Sequence, residues 1–108
     1  MKDTHYFDLV YDVTNLIPKG RVTTYGAIAD YLALGSARMV GWALNHLPKD
    51  NSVPAHRVIN RKGELSGKMQ FPSPTAMQER LEAEGIVVIN DKVQDFDKIF
   101  WHPAEIEA

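Results

Sequence analysis

The feature that most constrains this chain lies in its first half, where two short helical patterns are separated by only three residues, Ala33-Leu34-Gly35. Thr24 is placed to cap the first, whose apolar stripe is Tyr25, Ile28, Ala29 and Leu32, and Gly35 is placed to end it. Ser36 is placed to cap the second, which runs from Ala37 to about His46 before Pro48 stops it. Helices so short and so closely linked are expected to cross as a helix-turn-helix, with Met39, Val40, Ala43 and Leu44 turned inward. The other face of the second helix carries Arg38, Trp42 and Asn45 at i, i+4 and i+7. A guanidinium, an indole and an amide on one face suit nucleic-acid contact; they also describe a half-buried Trp beside a solvated charge.

The flanks supply the rest of a fold. An amphipathic helix is predicted over 4–17, with Phe7, Val10, Tyr11, Thr14 and Ile17 on one face, Asp8 and Asp12 outward, and Pro18 and Gly20 as the stop. Arg21-Val22-Thr23 predicts a short strand. Asn51 to Asn60 reads as a loop feeding a strand, Arg61-Lys62-Gly63 as a turn and Glu64-Leu65-Ser66 as a return strand, a small basic hairpin in the position of a wing. Ser73-Pro74 predicts the start of a further helix with the stripe Met77, Leu81 and Glu84 and a stop at Gly85. Ile86 to Ile89 reads as a strand, and the acidic tail from Asn90, with Phe96, Phe100 and Trp101, is expected to wrap around the body. The expectation is one α+β, mainly helical domain over 1–108, of winged helix-turn-helix type.

Composition narrows the chemistry. The chain has no cysteine, which removes disulfides, thiolate nucleophiles and sulfur-ligated zinc together. His5, His46, His56 and His102 lack metal-ligand spacing, and Gly20, Gly26, Gly63 and Gly67 form no phosphate-cradling loop, so neither a metal nor a nucleotide cofactor is expected. No apolar run approaches a membrane span, and the polar start lacks a secretory signal, which predicts an intracellular chain away from membranes, cytoplasmic and nucleoid-associated in a bacterium or nuclear in a eukaryote; a monomer is expected. The formal charge of −2 hides an asymmetry: residues 17–70 hold eight basic and three acidic side chains, net +5, and the remainder is net −7. A basic middle with acidic flanks suits a polyanion-binding face, or reflects uneven clustering without function.

The segment Pro54-Ala55-His56-Arg57-Val58 is specific enough to suggest a family. It resembles the Pro-Cys-His-Arg-Val active-site motif of O6-alkylguanine-DNA alkyltransferases, with Ala where the reactive Cys stands. Val22 to Ala29 resembles the segment holding that family's Tyr, Ala37 to Asn45 its recognition helix, and Leu81 to Gly85 the segment with its thiol-activating Glu. These motifs come in the family's order and span about residues 6–89. With Ala in the motif and Phe100-Trp101-His102-Pro103 in the tail, the chain resembles the alkyltransferase-like branch, which binds O6-alkylguanine and flags it for nucleotide excision repair without removing the alkyl group.

The resemblance implies a role for each matching residue. Arg38 corresponds to the finger that fills the gap left by a flipped nucleotide, and Tyr25 to the residue that presses the 3′ phosphate during rotation. Trp42, Arg61 and Lys62 join the DNA-binding set. The partner is duplex DNA containing O6-alkylguanine, entered through the minor groove. Asn45 resembles the amide that ties the helix to the active-site loop, although an amide there also serves as ordinary capping. The lesion pocket is expected from Tyr25, Ala55, His56, Val58, Ser66 and Lys68, with Ser66 meeting the O6 atom and Lys68 either reaching the purine or remaining solvated. Ala55, His56, Glu84 and Asn45 are vestiges of the alkyl-transfer machinery, with His56 and Glu84 kept as a structural pair.

Two other readings share parts of this pattern. A Cys-to-Ala disabled alkyltransferase shows the same pentapeptide. A winged helix-turn-helix transcription regulator shares the fold, but its recognition helix would offer only Arg38, Asn45 and His46 for reading bases.

Overall fold

The computed structural model describes residues 5–48 and 51–107; the predicted helix start at Thr4, and Lys49 and Asp50 of the basic segment, lie outside the described residues. Helix α1 covers His5–Asn15. Val10 and Val13, with Ile17 in the turn beyond, are buried, each contributing roughly 1.5–3 kcal/mol of transfer free energy. Thr14 is buried on the same face and returns its hydroxyl to the Val10 carbonyl at 2.7 Å, so that hydroxyl does not enter the core unpaired.

Helix α2, Tyr25–Tyr31, begins as predicted: Thr24 has extended backbone, and its hydroxyl accepts from the Ala27 N–H at 3.0 Å. Its end differs. Ala33 rather than Gly35 takes the left-handed conformation, at φ 57°. The Leu34 N–H reaches back to the Ala29 carbonyl at 2.9 Å; this wrap-around bond needs its left-handed residue immediately before the donor, and that position is Ala33. Helix α3 follows at Ala37–Asn45, with Ser36 in the N-cap backbone geometry although its hydroxyl makes no capping bond. Val40, Ala43 and Leu44 are buried against α1 and α2, and the Tyr11 hydroxyl ties α1 to the Ala43 carbonyl at 2.7 Å.

The strand predicted at Arg21–Thr23 forms further along. Strand β1 is Thr23–Thr24, parallel to β2, Val58–Ile59, with Thr23 opposite Val58. Arg21 is drawn off the strand line because its Nε and Nη2 donate to the carbonyls of Ile99 and Phe100 at 3.0 and 2.6 Å. Successive strand residues face opposite sides. Val58 therefore joins the helical core with Ile28, Val40 and Trp101, while Ile59 joins a second core with Val22, Leu65, Met77 and Leu81. This short parallel pair is the seam between the two cores.

The basic hairpin expected after β2 is not formed as a strand pair. The turn is present, with the Gly63 N–H on the Asn60 carbonyl at 3.0 Å and the Asn60 N–H on the Glu64 carbonyl at 3.2 Å. Beyond it, however, Glu64 bridges to Lys92 rather than continuing along β2. The hairpin that does form joins β3, Val88–Ile89, to β4, Lys92–Val93. Its connection Asn90-Asp91 has φ of 53° and 62°, as a type I′ turn requires.

Helix α4 spans Ala76–Ala83, later than Ser73-Pro74 predicts, because 73–76 closes first as a turn with the Ala76 N–H on the Ser73 carbonyl at 3.2 Å. The tail wraps as expected. It forms a short helix α5, Phe96–Ile99, places Phe100 beside Val22, and buries Trp101 with its N–H on the Val22 carbonyl at 2.7 Å. The α+β, mainly helical class with a helix-turn-helix stands.

Candidate functional site

The best-organised polar group in the protein is the carboxylate of Glu84, at the end of α4. His56 Nε2 lies 2.8 Å from its Oε2, and Arg57 grips the same carboxylate from Nε and Nη2, the latter at 2.7 Å. The Gly20 N–H donates to Oε1 at 3.1 Å, aimed there by a turn in which Gly20 takes φ +84°. Arg57 also donates from Nη1 to the Ile17 carbonyl at 2.8 Å. One anion thereby holds together the turn after α1, the 3₁₀ turn Ala55–Arg57 and the end of α4. Burial raises the Glu84 pKa, but the hydrogen bonds from Arg57, His56 and Gly20 outweigh it and leave the carboxyl at about 2. Burial also dominates at His56 and, helped by the charges of Arg57 and Arg80, lowers its pKa despite the contact with Glu84.

In front of this group is a cavity of about 460 Å³, reached between α3, the loop leading to Ala55, residues 67–72 and α4. Its size falls in the range of small-ligand sites, roughly 300–1,000 Å³. Ala55 lines it, among mainly apolar neighbours such as Leu44, Val53, Phe71 and Met77. Tyr25 and Asn45 form part of its rim. Burial raises the Tyr25 pKa above the usual phenol value, partly offset by a hydrogen bond with Ser66, so the phenol stays neutral near pH 7. The main chain passes close to it: a Cβ on Gly67 would lie 2.7 Å from the Tyr25 hydroxyl oxygen.

A shallower hollow runs along the outer face of α3, between Tyr25, Arg38, Met39, Trp42 and Asn45. Tyr25 and Asn45 line both depressions and so stand at the passage from one to the other. Trp42 is 58% exposed, which decides against the half-buried reading of that face. Arg38 is exposed and has no ion pair among the described residues.

Of the six residues expected to line the pocket, Tyr25 and Ala55 do. His56 lies behind Ala55 against Glu84, Val58 is fully buried in the helical core, and Ser66 reaches the site through Tyr25. Lys68 is held by Asp91 at 2.5 Å, outside the cavity lining. The Asn45 amide makes no hydrogen bond among the described residues, so the expected tie to the Ala55 loop is not made in this conformation. The basic middle is likewise reduced, since Arg57 is neutralised by Glu84, Lys68 by Asp91, and Arg21 lies 3.6 Å from Glu105. Arg38, Arg61, Lys62 and Lys19 remain without ion pairs among the described residues. No metal-binding cluster of His, Asp and Glu occurs among the described residues. Sequence reasoning misses the role of Arg57, for which its place beside His56 in the pentapeptide is the available signal.

Comparison with known proteins gives consistent matches. The family described as "6-O-methylguanine DNA methyltransferase, DNA binding domain" matches residues 5–86. Alkyltransferase-like protein 1 of Schizosaccharomyces pombe is 35% identical over 108 residues, covering 95% of this chain and all of the relative. A DNA base-flipping protein of Escherichia coli is 33% identical over 102 residues, covering 94% of this chain and 78% of the relative. The crystal structure of S. pombe Atl1 in complex with damaged DNA containing O6-carboxymethylguanine superposes with a TM-score of 0.76 at 33% identity, over 95% of this chain and all of that one.

Proposed function

This chain belongs to the 6-O-methylguanine DNA methyltransferase DNA-binding-domain family, and from that premise we propose that it binds O6-alkylguanine in duplex DNA as a non-enzymatic sensor. The observation that carries the reading is Ala55 lining the cavity, in a chain without any thiol. Alkyl transfer needs a thiolate to attack the O-bound carbon, and the methyl side chain at this position has neither a lone pair nor an acidic proton. What remains is a receptor for the base. The similarity to alkyltransferase-like and base-flipping proteins, one of them crystallised on damaged DNA, supports the same assignment.

The two depressions support the following binding sequence. The exposed face of α3 lies on the duplex from the minor-groove side, and Arg38 enters the stack, where its planar cation can both stack and hydrogen-bond. The displaced nucleotide rotates past Tyr25 and Asn45 into the cavity beside Ala55. Extrusion costs a few kcal/mol and less where O6 alkylation has already weakened pairing, so part of the selectivity originates in the lesion. The occupied cavity then withholds the base from a competing alkyltransferase. The persistent complex is the signal read by excision-repair proteins, in the compartment that holds the chromosome: cytoplasm in a bacterium, nucleus in a eukaryote.

Titration of matched duplexes with and without one O6-methylguanine, at one fixed salt, tests the reading. The wild type is expected to prefer the alkylated duplex. Arg38→Ala is expected to lose that preference with most of the affinity, while Arg38→Lys keeps general DNA binding. Equal affinity of the wild type for both duplexes would reject the sensor; equal preference in wild type and Arg38→Ala would reject the finger.

A further inference from the structure

The cavity beside Ala55 contains one feature that a receptor for a methylated base does not require. Among the described residues that line it, Arg80 is the only charged side chain. Its guanidinium carbon lies 5.3 Å from the centre of the Phe71 ring, itself part of the cavity wall, and the side chain has no carboxylate partner among the described residues. Arg80 projects from α4, which packs against the 3₁₀ turn carrying Ala55, so the cation and the missing nucleophile bound the same space from neighbouring elements. Its charge reaches inward as well, since it is among the groups that lower the His56 pKa.

We propose that Arg80 is a specificity-determining residue that selects lesions whose O6 substituent carries a negative charge, with an O6-carboxyalkyl group as the occupant whose carboxylate it meets. This rests on the sensor reading and adds to it the class of adduct favoured. A carboxylate brought into a partly apolar cavity without a cationic partner is disfavoured by desolvation, whereas an alkyl group is not. A guanidinium stacked on an aromatic ring is held in place while its N–H groups stay available, so the cation is set before the ligand arrives. A neutral methyl adduct gains nothing from this charge, and the two adduct classes therefore depend on Arg80 differently.

The test is a titration of wild type, Arg80→Gln and Arg80→Lys against three duplexes of one sequence: unmodified, O6-methylguanine and O6-carboxymethylguanine. Arg80→Gln is expected to weaken carboxymethyl binding about tenfold more than methyl binding. Arg80→Lys is expected to lose less, and the unmodified duplex to be unaffected. Because Arg80 is exposed, retained methyl binding reports an intact fold. An equal loss on all three duplexes would make Arg80 a phosphate contact and overturn the proposal, as would an unchanged ratio between the two lesions. Failure of wild type to prefer O6-methylguanine over unmodified DNA would instead reject the underlying sensor reading, and the selectivity with it.

Discussion

His56 Nε2 lies 2.8 Å from Glu84 Oε2, directly behind a cavity whose wall at Ala55 has no nucleophile. The family resemblance assigns this pair to thiol activation, and this chain has no thiol. The pair has a structural role without catalysis, because the same carboxylate also binds Arg57 and the Gly20 N–H and so joins three segments of the fold.

Glu84→Gln is expected to destabilise the protein by about 2 kcal/mol, because it leaves the partly buried Arg57 guanidinium without its counter-charge. The pH dependence follows from the directions of the shifts. Glu84 is depressed from 4.5 to about 2, so its contribution is complete above about 4.5 and is lost as pH falls toward 2. His56 is lowered from 6.5, so the unfolded chain takes up its proton first, and stability also declines as pH falls below 6.5. Urea unfolding between pH 7 and 3 should show both losses in the wild type and a smaller one below pH 4.5 in Glu84→Gln; a pH-independent midpoint would refute the assignment.

Gly67→Ala should impair binding without unfolding the chain. Its Cβ would sit 2.7 Å from the Tyr25 hydroxyl oxygen, so the phenol has to move and its hydrogen bond with Ser66 is disturbed. The expected loss of lesion affinity is about threefold to tenfold, the equivalent of one hydrogen bond. In a Tyr25→Phe background the same substitution should cost much less, since the clashing atom is gone. Additive losses in the double variant would show that Gly67 acts elsewhere.

Salt dependence probes the basic side chains that remain unpaired. Arg61 and Lys62 sit exposed at the turn after β2, with no ion pair among the described residues. If both contact phosphates, replacing the two with Ala should reduce the slope of log affinity against log salt by about 2, equally for alkylated and unmodified duplexes. An unchanged slope would remove that turn from the interface.

What could be read from the sequence was local. The helix-turn-helix was legible because caps and stripes lie within a few residues of one another, and Thr24 performs the cap its position predicts. The exit from α2 departs from expectation because glycine is favoured in left-handed positions, whereas here the register of the wrap-around bond places Ala33 there. The β1–β2 pair was not legible, since two-residue parallel strands distant in sequence leave no periodic trace. The hairpin at Asn90-Asp91 did leave a signal, the two residue types that best tolerate positive φ between apolar positions. At the site, Ala55, His56 and Glu84 came from family resemblance. The gathering of Leu44, Phe71 and Met77 around Ala55 is produced by tertiary closure, which no single segment encodes.

The central claim is that the cavity holds the alkylated base and cannot take its alkyl group. Intact-mass spectrometry after incubation with excess O6-methylguanine duplex, run beside a competing active alkyltransferase, tests it most directly. The protein should keep its unmodified mass, the lesion should persist, and inhibition of the competitor should rise with the fraction of lesion bound. A methyl group added to the protein, or repaired guanine formed by the protein alone, would contradict the account.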